Sequence, residues 1–311
     1  MALPSSSYDQ LSAITQKKFI PKLADNIFDS NPLFKRARGK FLQKIDGGER
    51  IVVPLGYATT TASGWYAGSD TLSTTDNDQL AAAEYLWKQI YANITISRID
   101  ELKNSGDSQI LSLIKSKVKM AEKTMADTIG TGLYNQGADS SANAIVGLRD
   151  IVATDQTVGG ISQTDNSWWQ GKVDSSTTVL SISAMQTSFN NASVDSDSPT
   201  VAMATRVNLN RYYNLLQPQQ RFMDSDTAKG GFQNLMFNGI PLISDSHCPA
   251  NHLFFLNENY LHLFVHKDED MRFEPFMKPI NQNIKVAKIF SAMALGSSNN
   301  RLHAVLTAIT A

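Results

Sequence analysis

The sequence predicts an α+β fold, and three observations carry that reading. A long amphipathic helix lies about a third of the way along the chain. Short strand-like runs follow it, mixed with a few helices in irregular order. No internal repeat or regular strand–helix alternation is present. The helix is read as Ser108 to Ile129, where Ile110, Ile114, Val118, Ala121, Met125 and Ile129 recur every three or four residues. At 100° per residue these six share one arc, which is expected to bury. Lys115, Lys119 and Lys123 fall on a different arc, left for water or a charged partner. Asp107 or Ser108 can cap the first turn, and Gly130 and Gly132 supply an expected stop. At 1.5 Å per residue the rod is about 33 Å long, the length of a strut.

Composition narrows the classes. A formal net charge of -1 over 311 residues argues against wholesale coating of nucleic acid, and 42% hydrophobic residues suit a folded core. The single cysteine, Cys248, excludes an intrachain disulfide framework and a cysteine-rich zinc site. No apolar run approaches the roughly 20 residues that span a bilayer. The start, Met1 to Ser5, has no basic region followed by an apolar core. The expectation is a soluble, cytoplasmically made protein with no membrane partner.

Taken in order, residues 1 to about 45 read as an arm. Tyr8 to Ile20 suits a short helix, Leu23, Ile27 and Phe28 a second amphipathic piece, and Asn31-Pro32 a turn. Lys35, Arg36, Arg38 and Lys40 then form a basic cluster. The arm has too little apolar content to fold alone, so it should dock on something else. Ile51 to Leu55 is strand-like, and so is Tyr85 to Ile99, where Ile90, Ala92, Ile94 and Ile96 alternate with Tyr91, Asn93, Thr95 and Ser97. About 25 residues rich in Ala, Gly, Ser, Thr and Asp separate the two runs, with Trp65 and Tyr66 the large apolar groups among them. A long projecting hairpin fits, those two residues being its anchors on a neighbour.

Tyr134 to Ala144 reads as a linker. Beyond it, helices are expected at Ser181–Ala192 and Asn208–Leu216, the second ended by Pro218. Strands are expected at Pro199–Ala204, Ile240–Ile243, Leu253–Leu256, Leu261–Val265, Met271–Phe276, Ile284–Ala292 and Leu302–Ile309. Gly230, Gly231 and Asn238-Gly239 punctuate this half as turns.

A search for chemistry finds little. No phosphate-binding glycine loop and no nucleophile elbow occurs. His247, Cys248, His252, His262 and His266 cluster in the sequence and could ligate a metal. On a strand, however, His262 and His266 would stand about 13 Å apart, which favours ordinary sheet histidines. Asp268-Glu269-Asp270 reads as a solvated acidic turn. The expectation is no enzyme, no cofactor and no metal site.

The order of parts resembles the major capsid proteins of tailed bacteriophages. Ser30-Asn31-Pro32-Leu33, Pro199-Thr200 with Arg211 and Leu215-Leu216, Phe237-Asn238-Gly239-Ile240-Pro241, Asp245 and Cys248-Pro249 strengthen the likeness. The resemblance implies a phage major-capsid-like fold, with an N-terminal arm at 1–45 and an extended β-hairpin loop at 46–88. It also implies a peripheral domain at 89–144 and about 259–295 around a spine helix at 108–129, and a mixed axial domain at 145–258 and about 296–311. The implied function is a coat protein that self-assembles through pentamers and hexamers into an icosahedral shell around double-stranded DNA, within a bacterial host's cytoplasm.

Trp65, Tyr66, Lys35, Arg36 and Arg38 are then the intersubunit candidates, and Lys115, Lys119 and Lys123 the inner-face basic residues making weak contact with packaged DNA. No lysine lies between Lys44 and Lys88, so a covalent loop crosslink of the kind some relatives form is not expected. The chain begins only about a hundred residues before the helix, so a separate scaffolding protein is expected, together with a portal. The competing readings are another phage structural protein, such as a tail or decoration component, and a metal-dependent enzyme built on the histidine cluster.

Overall fold

A computed structural model describes residues 31–103, 107–137, 143–175, 179–216 and 235–310. The expected elements before residue 31, the stop at Pro218 and the turn at Gly230-Gly231 lie outside these residues. So do the side chains of Ile110 and Lys115.

The described chain opens with helix α1 (Pro32–Lys40), and Asn31-Pro32 starts it rather than marking a turn. The Asn31 side-chain oxygen accepts from the Phe34 amide at 3.1 Å. Proline at the first helical position gives up a donor that has no partner there anyway. Leu33, Phe34 and Ala37 are buried. Strand β1 (Leu42–Ile45) then pairs in parallel with β12 (Leu261–His266). Residues 32–45, expected as the end of an arm, are thus built into this chain's own body.

Strands β2 (Arg50–Gly56) and β3 (Leu80–Leu86) pair antiparallel from Arg50 opposite Leu86 to Gly56 opposite Leu80. The expected long hairpin is therefore present, with residues 57–79 as its loop. Strand β4 (Lys88–Ser97) follows, then helices α2 (Arg98–Lys103) and α3 (Asp107–Leu133). Helix α3 runs past both glycines expected to stop it. A Cβ on Gly130 would stand 2.6 Å from the His247 ring and 2.7 Å from the Asn31 amide nitrogen. Glycine serves close approach at that point, at a helix-propensity cost of about 1 kcal/mol.

The second half contains α4 (Leu148–Ile151), β5 (Thr157–Val158), β6 (Ile161–Ser162), β7 (Lys172–Asp174) and α5 (Ile182–Asn191). Next come β8 (Val201–Ala204), α6 (Arg206–Leu216), β9 (Met236–Phe237), β10 (Ile240–Ser244) and β11 (Leu253–Leu256). The chain closes with β12, β13 (Arg272–Met277), β14 (Ile284–Ser297) and β15 (Ala304–Leu306). Ser181 caps α5 by accepting from the Ala184 amide at 3.1 Å. Asn238 and Gly239 both have positive φ, 47° and 81°, as a two-residue hairpin between β9 and β10 requires.

Two mixed sheets result. The first runs β1-β12-β14-β13, with β4 also on β14; Met293 pairs with both Lys88 and Val265, so β4 and β12 flank opposite edges. The second runs β7-β15-β11-β8-β10-β9. Strand β14 extends to Ser297, beyond the expected Ala292, because its last residues are buried throughout and show no alternation to read.

Helix α3 lies on the first sheet. Ile114, Val118, Ala121, Met125 and Ile129 join Ile94, Ile96, Ile289 and Met293 in one core. Each large side chain buried there contributes about 1.5–3 kcal/mol. A second core gathers around Met185, Tyr212, Phe237 and Phe255 under the second sheet.

Candidate functional site

The hairpin has two unlike faces. Ile51, Leu55, Ala83 and Tyr85 are buried against the body, whereas Val52, Leu80 and Leu86 on the opposite face are exposed. Alternation produces this directly, since successive side chains of a strand point to opposite sides. The base is tied down at three places. The Tyr85 hydroxyl donates to the Ser297 carbonyl at 2.7 Å. The Glu84 amide donates to the Gly159 carbonyl at 2.9 Å. Tyr57 stacks on Trp168 with ring centroids 4.6 Å apart. Burial pushes the Tyr85 phenol up to about 12, against the smaller opposing effect of its bond to Ser297.

Beyond that base, the loop is held by its own polar groups. The Thr61 amide donates to the Asn77 side-chain oxygen at 3.2 Å, and the Asn77 amide group donates to the Thr59 carbonyl at 3.2 Å. Trp65 is fully exposed at 106% of its reference area, Tyr66 at 68% and Leu72 at 59%. The structure therefore brings Trp65 and Tyr66 together in an open loop.

The arm cations divide differently. Lys35 is exposed on α1. Arg36 makes a two-pronged pair with Glu258 at 2.7 and 2.8 Å, and Lys40 reaches the same carboxylate at 2.7 Å. Arg38 and Lys44 converge likewise on Asp270, Lys44 at 2.9 Å. Burial alone would raise the pKa of both acids, but hydrogen bonds and charge from the paired cations prevail and hold both carboxyls below their ordinary values. Arg36 and Arg38 thus staple this segment to carboxylates of their own chain. Asp270 likewise leaves the solvated acidic turn expected for it. The partners stand more than two hundred residues apart in sequence, so local spacing could not show the pairing.

On helix α3, Lys119 and Lys123 are exposed, and Lys117 donates to the Thr95 carbonyl at 2.6 Å. The histidines do not converge. His247 sits at α3, its ring 3.2 Å from Asp245 and 3.6 Å from Asp127. His252 stacks on Phe254 with centroids 5.8 Å apart, and burial and then nearby Arg149 lower its pKa to about 4. His262 contacts Gln43 and Ser298. His266 meets Trp87 edge-on. Cys248 is buried, and burial pushes its thiol up. Among the described residues no three His, Cys, Asp or Glu side chains are placed to hold a metal ion, and no helix is long and apolar enough to cross a membrane. Sequence reasoning missed His303, fully buried, whose ring accepts from the Asn257 amide at 3.2 Å.

No family model matches the chain, and no curated protein does. Solved structures do. A capsid subunit of cyanophage A-1(L) superposes with a TM-score of 0.68 at 16% identity, covering 88% of this chain and 92% of that one. The capsid of a native GTA particle gives 0.59 at 12% identity, covering 87% and 88%. The SrpI encapsulin from Synechococcus elongatus gives 0.54 at 12% identity, covering 88% and 86%. The described architecture is the fold that these solved structures share. This chain has the major capsid fold of tailed bacteriophages.

Proposed function

We propose that the chain is a major capsid protein that self-assembles into the icosahedral shell of a phage virion around double-stranded DNA. Its role in this reading is structural and not enzymatic. The observation that carries it is a hairpin whose base is packed on its own subunit while its loop holds Trp65 fully in water. Fully burying such a side chain is worth about 1.5–3 kcal/mol, a gain the isolated subunit does not take.

In this proposal the first sheet with α3 is the peripheral domain and the second sheet the axial domain, around which pentamers and hexamers close. The loops lap over neighbouring subunits without a lysine crosslink. Lys119 and Lys123 line the inner surface, where they meet packaged DNA weakly. A scaffolding protein and a portal complete the assembly, in the cytoplasm of a bacterial host.

The encapsulin likeness means that the fold alone does not choose the contents, so the test reads both shell and cargo. Sedimentation and negative-stain microscopy of the purified protein should show shells or rings of five or six copies. Particles from producing cells should hold nuclease-resistant DNA. A monomer at every concentration and salt tested would overturn the shell, and empty or protein-filled particles would overturn the genome container.

A further inference from the structure

A cavity of about 220 Å³ opens between α4, the segment that follows it and one face of the second sheet. Its floor is a single apolar row, because the register sets Phe254 opposite Val305 and Val305 opposite Val173. Directly opposed residues of paired strands share a face, so these three side chains line the space together. Polar groups make the walls: Arg149 on α4, Asp155 just beyond that helix, and His252 just before β11. The volume is below the roughly 300 Å³ at which drug-sized ligand sites begin, so the space suits a smaller molecule.

His252 is the group that contacts within the subunit leave unexplained. Its main chain is pinned, the carbonyl accepting from the Asn208 side-chain amide at 3.0 Å and the amide donating to the Pro249 carbonyl at 3.1 Å. The ring stacks on Phe254, yet its buried Nδ1 has no hydrogen-bond partner among the described residues. A buried polar atom left in that state costs free energy, and folded chains keep few of them. Burial and the nearby Arg149 charge keep this imidazole neutral at ordinary pH. The fixed charges of the cavity are therefore one of each sign, Arg149 and Asp155.

We propose that this cavity binds a small α-amino acid with an apolar side chain. Arg149 takes the carboxylate, since a guanidinium has five donors and can pair a carboxylate through two of them beside any contact within the chain. One Asp155 oxygen accepts from the Gln156 side chain at 3.0 Å, which leaves the other for the ammonium. The ligand's side chain lies on Phe254, Val305 and Val173. After a small tilt of the ring, its polar end gives His252 the hydrogen bond that the subunit does not. A simple carboxylate would face Asp155 with like charge, and a simple amine would face Arg149 so. Only a zwitterion meets each charge with its complement. All these groups belong to one subunit, so the site goes beyond the shell reading and does not depend on it.

Equilibrium dialysis of L-leucine against the full chain tests the site. The comparison ligands are 4-methylpentanoate, which lacks the ammonium, and 3-methylbutylamine, which lacks the carboxylate. L-leucine should bind about tenfold more tightly than either. Asp155 is exposed and Val173 is 39% exposed on edge strand β7, so both tolerate substitution without loss of the core. Asp155→Asn should erase the preference for L-leucine over 4-methylpentanoate, and Val173→Phe should fill the floor and abolish binding, each with unchanged melting of the free chain. His252→Phe keeps a ring on Phe254 but offers no nitrogen, and should weaken L-leucine about tenfold. No L-leucine retained at about 10 mM, 4-methylpentanoate bound as tightly by the wild type, or binding undiminished in Val173→Phe would overturn the site. Each of those results would leave the shell reading standing.

Discussion

Segment 32–45 and hairpin loop 57–79 are both polar stretches that cannot make a core alone, yet the fold treats them oppositely. The first is fastened inward: Leu33 and Phe34 are buried, and two carboxylates, Glu258 and Asp270, each hold two of its cations. The second is held only at its base and turns its largest side chain to water. The difference lies in what each finds within reach. Cations with reachable buried acids fold onto their own chain, whereas an aromatic pair with no apolar surface nearby stays available to another.

Four expected outcomes can break or sharpen that contrast. The largest effect is set for Phe34→Ala, which empties a fully buried site and should cost the isolated subunit about 3–5 kcal/mol in urea unfolding. A change below about 1 kcal/mol would mean that the segment is not part of the subunit's core. Next comes Glu258→Ala, which strands Arg36 and Lys40 and removes a partner of Thr200; about 3 kcal/mol should be lost.

Acid provides the third outcome. Both carboxyls have folded pKa values below their ordinary ones, so the unfolded chain binds the proton more readily. Their stabilisation is present above the ordinary carboxylate range and is lost as pH falls through the lowered folded values. Wild type should therefore lose stability below about pH 4 more steeply than Glu258→Gln, as followed by denaturant titrations. Parallel curves would remove Glu258 from the account. The smallest effect on the subunit belongs to Trp65→Ala, which should change its unfolding by less than about 0.5 kcal/mol while lowering the melting temperature of assembled particles. A destabilised subunit with unchanged particles would invert the comparison.

The elements with a clear period are legible in the residues themselves. The β4 alternation and the α3 arc bury as their spacing requires, because Ile94 and Ile96 or Val118 and Met125 carry the signal within a few residues. The end of α3 is not legible in the same way, because a glycine that stops a helix and one that admits a neighbour look the same in one dimension. Gly130 is the second kind, and its neighbours are His247 and Asn31.

The sequence by itself determined the α+β class, the long helix, the projecting hairpin and the two aromatic residues in its loop, since periodicity and local composition are short-range properties. Only the tertiary structure decided that the basic segment is stapled to Glu258 and Asp270 of its own chain and that β1 pairs with β12. Those outcomes depend on charges and strands brought together from more than two hundred residues apart, where no local pattern records the pairing.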